Sequence, residues 1–250
     1  MLDDVELAAG YREWAPPAGL RHVLACLWSQ VVPGDRSAPS LVLPDGCSDL
    51  IWQRGHGAFV AGPDTGPAPT VLPPGTVLVA ARFRPGAGGA TLGVPLSELL
   101  DQRIDVADLR RDVAVRLPAT LSPGGAVAAV TGVAGRLAVA RPPDGAVLTA
   151  CRLLSHPGAQ AGEVAAQVGL SDRQLRRRCE AAVGYGPKML QRVLRFRRFV
   201  SLADAAGGTA DLAQAAVDSG YADQPHLTRE TARLAGLSPA ALVRERRPGG

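Results

Sequence analysis

Lysine is almost missing from these 250 residues: Lys188 stands alone against 26 arginines. The skew goes with abundant Ala, Gly and Pro and fits a GC-rich genome, so arginine position rather than arginine number must carry any argument. The sequence has no run of about 18 apolar residues, which speaks against a membrane-spanning helix. It opens on Asp3, Asp4 and Glu6 instead of a basic stretch before an apolar one, so no secretory leader is expected. The four cysteines, Cys26, Cys47, Cys151 and Cys179, lie far apart and form no Cys-x-x-Cys. Neither a disulfide framework nor a zinc site is indicated, and a cytoplasmic location is expected.

Catalytic signatures are missing as well. Residues 86–93 are rich in glycine but fit neither GxGxxG nor a phosphate loop ending in Gly-Lys-Ser/Thr. No GxSxG, HExxH or paired-carboxylate pattern occurs, and His22, His56 and His156 have no catalytic companions. The expectation is a protein that is not an enzyme and has no cofactor and no metal site.

What is present divides the chain in two. Hydrophobic residues at 46% and charged residues at 20% give a globular balance, which excludes a wholly disordered chain. Residues 1–145 hold 12 Arg against 14 Asp and Glu, a net charge of −2, while residues 146–250 hold 15 Lys and Arg against 9 Asp and Glu, or +6. Residues 171–200 alone carry nine basic residues against Asp172 and Glu180. A local basic concentration points first to nucleic acid, then to an acidic membrane surface.

Prolines and glycines punctuate short apolar runs at 23–32, 40–43, 50–53, 58–61 and 77–83, the texture of a small β-barrel or sandwich. Helical spacing then takes over. Ser97 and Glu98 open a short helix, residues 105–117 repeat apolar positions at three and four, and 124–139 is alanine-rich. Residues 141–144 (Arg-Pro-Pro-Asp) mark a boundary, and everything beyond reads as helix. The fold class is therefore α+β, with a β-rich domain over 1–140 and an all-α domain over 145–250. In the β-rich part Trp28, Trp52, Arg82 and Arg84 are candidates for an effector pocket, because a barrel that binds a ligand uses aromatics at its mouth. The competing readings are core aromatics and an internal bridge from arginine to Asp45 or Asp49. The cysteines read as small buried hydrophobes, with redox sensing as the alternative.

The basic half contains a weak internal repeat. GLSDRQLRRRCEAAVGYGP (169–187) matches GYADQPHLTRETARLAGLSP (220–239), pairing Gly169 with Gly220, Leu175 with Leu227, Gly184 with Gly236 and Pro187 with Pro239. Each copy reads as a short helix, a glycine turn and a second helix capped by Ser or Asp, that is, a helix-turn-helix written twice over about 161–182 and 210–235. Leu175 and Leu227 face inward, leaving Arg173, Arg176 and Arg177 to project. Between the copies, residues 188–203 form a long amphipathic helix with Met189, Val193, Phe196, Val200 and Ala203 as its buried stripe. Arg192, Arg195 and Arg198 lie on its other side and are candidates for phosphate contact.

GLSDRQLRRR, GYGP, the linker helix and GYADQPHLTR…GLSP together resemble the DNA-binding domain of the AraC/XylS family of bacterial transcription regulators, over roughly residues 145–247. The resemblance implies recognition helices at about 172–182 and 223–235. It implies base contacts by Arg173, Arg176 and Arg177 in the first, and by Gln224, His226, Thr228 and Arg229 in the second. Two departures stand out: the family places phenylalanine where Cys179 and Thr231 stand, and Pro225 enters the first turn of the second recognition helix. LPDGCSDLIW, PPGT…ARFRPGA and LGVPLSELLDQRIDVADL resemble the sensor domain of an actinobacterial branch of the family, which implies a small β-barrel followed by helices. The partners this implies are double-stranded DNA, a small-molecule effector, RNA polymerase and a second copy of the chain, with no membrane. The alternative is a constitutive DNA-binding protein whose N-terminal barrel only mediates dimerisation or docking.

Overall fold

The computed structural model describes residues 7–207 and 211–246. The acidic start at Asp3, Asp4 and Glu6 lies outside the described residues, as do residue 210 at the expected opening of the second unit and residues 247–250.

Eight strands form two antiparallel sheets. They are β1 (Gly10–Trp14), β2 (Leu24–Val31), β3 (Ala38–Val42), β4 (Ser48–Gln53), β5 (Gly57–Ala61), β6 (Ala68–Leu72), β7 (Val77–Phe83) and β8 (Arg103–Asp105). The larger sheet runs β1-β2-β7-β4-β5-β8, and β3 pairs with β6 in a separate ribbon. The six-stranded sheet does not close, so the arrangement is sandwich-like and not a barrel. The central strands bury both faces through simple alternation. Val77, Val79, Ala81 and Phe83 enter one core with Leu50 and Trp52, whereas Leu78 and Ala80 enter a smaller one with Trp28 and Ile51. The sequence reading found the five apolar strands and missed β1, β6 and β8. These are edge or ribbon strands with mostly exposed side chains or only three residues, so they carry no apolar period.

Eleven α-helices follow among the described residues. In the N-terminal half they are α1 (Gly88–Leu92), α2 (Val106–Leu109), α3 (Arg111–Ala114) and α4 (Pro123–Ala140). The single helix expected over 105–117 is broken at Arg110, whose backbone is extended at φ −149° and ψ 84°. Its guanidinium bonds Asp112 and the Leu92 carbonyl, which holds the break. The helix expected from Ser97 is one 3-10 turn at Leu96–Glu98 that follows Pro95, with no side-chain cap. α4 is capped by Ser122 and packs Val127, Val130, Val133, Ala134 and Leu137 into the first core. Its 18 residues reach a mean hydropathy of 1.3, long and apolar enough to cross a membrane by length and composition. That corrects the reading that no such run exists. Alanine, glycine and valine make the helix apolar apart from Thr131 and the exposed Arg136, and the β-sheet takes up its buried face.

The remaining helices are α5 (Gly145–Leu154), α6 (Ala161–Gln167), α7 (Asp172–Val183), α8 (Pro187–Ala205), α9 (Leu212–Ser219), α10 (Gln224–Ala235) and α11 (Pro239–Glu245). They share a second core spanning Val147 to Val243. On α8, Val193, Phe196 and Ala203 are buried as expected, but Met189 and Val200 only partly. Leu190, Leu194 and Phe199 complete the buried face, which is wider than a single stripe because α8 packs against helices on several sides.

Cys179 and Thr231 are both fully buried at equivalent places in the two units. The Thr231 hydroxyl has no hydrogen-bond partner among the described residues. Leaving a hydroxyl buried and unpaired costs stability. Thr231→Val should therefore raise the unfolding free energy by about 1 kcal/mol, read by urea denaturation of the full chain; a lower value would show that the hydroxyl is satisfied in solution.

Candidate nucleic-acid interface

Each helix-turn-helix is built by local chemistry. In the first, Gly169 at φ 69° makes the turn after α6. Ser171 then caps α7 through a reciprocal box, with the Gln174 amide donating to its hydroxyl at 3.3 Å and the Gln174 side chain accepting from the Ser171 amide at 2.9 Å. Leu175, Cys179 and Val183 are buried; Arg173, Arg176 and Arg177 are exposed. Arg176 is paired along the helix with Glu180 at 2.9 Å. Arg178 turns away to Asp144 at 2.8 Å, and Asp144 also caps α5, which ties α7 to the rest of the domain.

The second unit repeats the plan. Gly220 at φ 87° makes the turn, and Asp223 caps α10 by accepting from the His226 amide at 2.6 Å. Pro225 sits in the first turn, where its missing amide hydrogen is not needed. Leu227, Thr231 and Leu234 are buried; Gln224, Thr228 and Arg229 are exposed. The Thr228 hydroxyl donates back to the Gln224 carbonyl at 2.9 Å. His226 is half-buried, its ring set edge-on to Tyr221 with centroids 5.2 Å apart, so it packs the turn as well as bordering the exposed face.

The three linker arginines point inward to the second unit. Arg192 makes two hydrogen bonds to the Glu230 carboxylate on α10, at 2.7 and 2.9 Å. Although burial opposes it, this pairing holds the Glu230 carboxyl below its ordinary value. Arg195 lies 5.4 Å over the Tyr221 ring, and Arg198 donates to the carbonyls of Ser155 and Ser219. Arg192 and Arg198 use these donors to hold α8 against α9, α10 and the turn after α5. On α8 it is Lys188 and Arg197 that are exposed, and among the described residues neither has an ion-pair partner shown. Partners 38 residues apart, such as Arg192 and Glu230, leave no periodic signal in sequence.

A cavity of about 510 Å³ lies between the two sheets and is bordered by Phe196, Arg197 and Val200 of α8. Trp28, Phe59, Leu72 and Leu78 give it apolar walls. Arg82 bonds Asp49 at 3.1 and 3.3 Å, with Glu13 at 3.4 Å and Asp45 at 3.6 Å. The Trp28 indole N–H donates to the same Asp49 carboxylate at 3.2 Å. Desolvation works against the Arg82 charge, but the acidic neighbours outweigh it and hold the guanidinium protonated. The internal arginine–aspartate bridge is thus real and also lines the cavity. Trp52 and Arg84 do not join it. Trp52 points to the opposite face, fully buried, with its indole N–H on the Pro118 carbonyl at 2.9 Å. Arg84 lies past the end of β7, where strand alternation no longer applies, and donates to the Arg21 carbonyl at 2.7 Å. All four cysteines are free. Burial pushes the Cys26 thiol up to about 11, and burial also raises Cys47. A hydrogen bond with Cys179, together with burial, keeps the Cys151 thiol protonated.

The sequence model of a helix-turn-helix domain matches residues 164–245, which takes in both units and the linker helix. The basic half of the chain therefore carries a helix-turn-helix domain, a motif that docks a recognition helix in the DNA major groove. A second match, to a domain of unknown function (DUF6597), covers residues 12–105, the sheet half. Among solved structures, a probable AraC family transcriptional regulator from Rhodopseudomonas palustris CGA009 is 19% identical. It aligns over 42% of this chain and 100% of its own, with a TM-score of 0.37. ToxT from Vibrio cholerae O395 is 10% identical over 97% of this chain and 96% of its own, at 0.44. ToxT from Vibrio cholerae strain SCE256 bound to an unsaturated fatty acid is 10% identical over 95% and 96%, at 0.42. No curated protein matches the chain.

Because Arg192 pairs with Glu230 on α10, Arg192→Ala should lower stability by about 1 kcal/mol. It should leave unchanged the slope of log affinity against log salt for DNA; a lost phosphate contact would reduce that slope by about 0.9.

Proposed function

We propose that the regulator reads a two-part DNA site with α7 and α10, one in each of two successive major-groove faces. One observation supports this most. In both copies the inward residues are buried, and the side chains expected at base edges, apart from the half-buried His226, are exposed at the N-terminal part of the helix, the part that reads bases in this motif. Arg173, Arg176 and Arg177 offer guanidinium donors to guanine edges, while Gln224 and Arg229 offer bidentate partners for adenine and guanine. Thr228, with its hydroxyl proton turned to the Gln224 carbonyl, presents its oxygen as an acceptor and its methyl group as an apolar contact. His226 adds its imidazole edge beside them.

The division we propose is a sensing domain over 1–140 and a DNA-binding domain over 145–250, a reading supported by the two separate apolar cores. We propose that the N-terminal domain binds a small-molecule effector in the cavity lined by Trp28 and Arg82. Its volume is that of a ligand site, and its walls set apolar and aromatic side chains beside paired charges such as Arg82 with Asp49 and Arg103 with Asp64. α8 contributes to its wall, so an occupant would act on the helix that joins the two DNA-reading units. Such an effector acts only through different affinities for DNA-competent and incompetent arrangements.

Arg177 is exposed with no ion-pair partner shown among the described residues. Arg177→Ala should weaken binding to the selected operator by about 10- to 100-fold, with unchanged stability and little change on scrambled DNA. This is read by fluorescence anisotropy; equal affinity of variant and parent for the operator would remove Arg177 from the base-reading set. For the cavity, a thermal-shift screen of small metabolites should give hits that stabilise the parent chain and lose their effect in Phe59→Ala. Hits that survive that change place the effector elsewhere.

A further inference from the structure

The loop between β5 and β6 reads Gly62-Pro63-Asp64-Thr65-Gly66-Pro67, with a Gly-Pro pair at each end. It touches both recognition helices. Pro63 packs against Gly184, the left-handed cap that ends α7, closely enough that a Cβ there would sit 2.6 Å from the proline ring. Gly66 lies under the Arg233 carbonyl of α10, and Pro67 packs against Gly236, the left-handed cap that ends α10. Gly184 and Gly236 are equivalent positions of the internal repeat, so one short loop holds the same point of both copies. Four residues of chain reach about 14 Å at most, which sets the separation the loop spans.

The loop is itself held rigidly by the N-terminal half. The Asp101 carboxylate accepts from the Thr65 amide at 2.7 Å and from the Thr65 hydroxyl at 2.8 Å. Arg103 makes two bonds to Asp64, at 3.0 and 2.9 Å. The Asp101 amide donates to the Pro63 carbonyl and the Gly62 amide to the Gln102 carbonyl. Asp101 has φ 57°, the one non-glycine residue with positive φ among the described residues. That conformation is a backbone cost for an L-residue, and here it aims the carboxylate at Thr65. Simple domain packing would need neither a strained anchor nor contact with the same cap in both repeats.

We propose that residues 62–67 are a positioning strap, which fixes the separation of α7 and α10 and so the half-site spacing the regulator accepts. This rests on the two-part DNA reading above. α8 joins the two units on one side, and the strap bridges their recognition helices on the other. The free N-terminal ends of α7 and α10 then stand at a set spacing. Ala61, Gly62 and Asp64 also border the effector cavity, which places the strap between an occupant and both DNA-reading helices.

The test uses the full-length chain and duplexes that the parent chain enriches from a random library. The enriched site is then rebuilt with one or two base pairs added or removed between its halves, and as a single half-site. Asp101→Gly is the chosen variant, since glycine accepts the positive φ while the two bonds to Thr65 are lost. It should bind the original spacing about tenfold more weakly and discriminate poorly between spacings, because a loosened geometry lowers the effective concentration of the second unit. Single half-site affinity should not change, and Asp101→Asn should restore the parent profile. Pro67→Gly, which removes the contact to α10, should act like Asp101→Gly and serves if that variant does not fold. An unchanged spacing profile in a folded variant overturns the strap alone, as does an equal loss on single and paired sites. A parent chain that enriches no two-part site overturns the DNA reading and the strap together.

Discussion

Val193, Phe196 and Phe199 are completely buried where α8 runs between the two helix-turn-helix units, and the rest of the molecule is arranged around that contact. Burying each such side chain contributes about 1.5–3 kcal/mol, enough that α8 does not slide. With α8 fixed, Leu175 and Leu227 seat the recognition helices. The arginines that α8 turns sideways, Arg192, Arg195 and Arg198, bind the second unit to it through a carboxylate, an aromatic ring and the Ser219 carbonyl, and Arg198 also reaches the Ser155 carbonyl after α5. Arginine charge on α8 is thus paired within the protein, while Arg173 and Arg177 of α7, Arg229 of α10 and Lys188 and Arg197 of α8 stay exposed.

The second organising constraint is close approach between the two halves. Gly88 and Gly89 of α1 leave no room for a Cβ: one would fall 2.2 Å from the Ser48 hydroxyl, the other 2.4 Å from the Ala181 carbonyl of α7. The glycine-rich stretch therefore serves backbone packing against the end of the first recognition helix. Tyr185 and Leu190 meet the turn at Gly46 in the same way. The N-terminal half is thus in direct contact with the elements that would meet DNA, which gives an occupied cavity a short physical route to them.

Much of this was legible in the sequence where local chemistry decides. The repeat of Gly169 and Gly220, with caps at Ser171 and Asp223, located both units to within a residue or two. The five apolar strands announced themselves by their runs. The break of the helix expected over 105–117, the core placement of Trp52 and the course of Arg84 were not legible because they depend on contacts distant in sequence: the Leu92 carbonyl, the Pro118 carbonyl and the Arg21 carbonyl. The pairing of Arg192 with Glu230 and the placing of Pro63 on Gly184 join residues 38 and 121 positions apart, distances at which periodicity carries no information.

The central claim is that two recognition helices on one chain read a defined DNA sequence. The most direct test is fluorescence anisotropy of the full chain on its enriched duplex and on a scrambled duplex of the same composition, at two salt concentrations. The account predicts affinity for the enriched duplex at least about 1,000-fold above the scrambled one, with the preference surviving at the higher salt. Equal binding to both duplexes that fades together as salt rises would mean electrostatic attraction only and would contradict it.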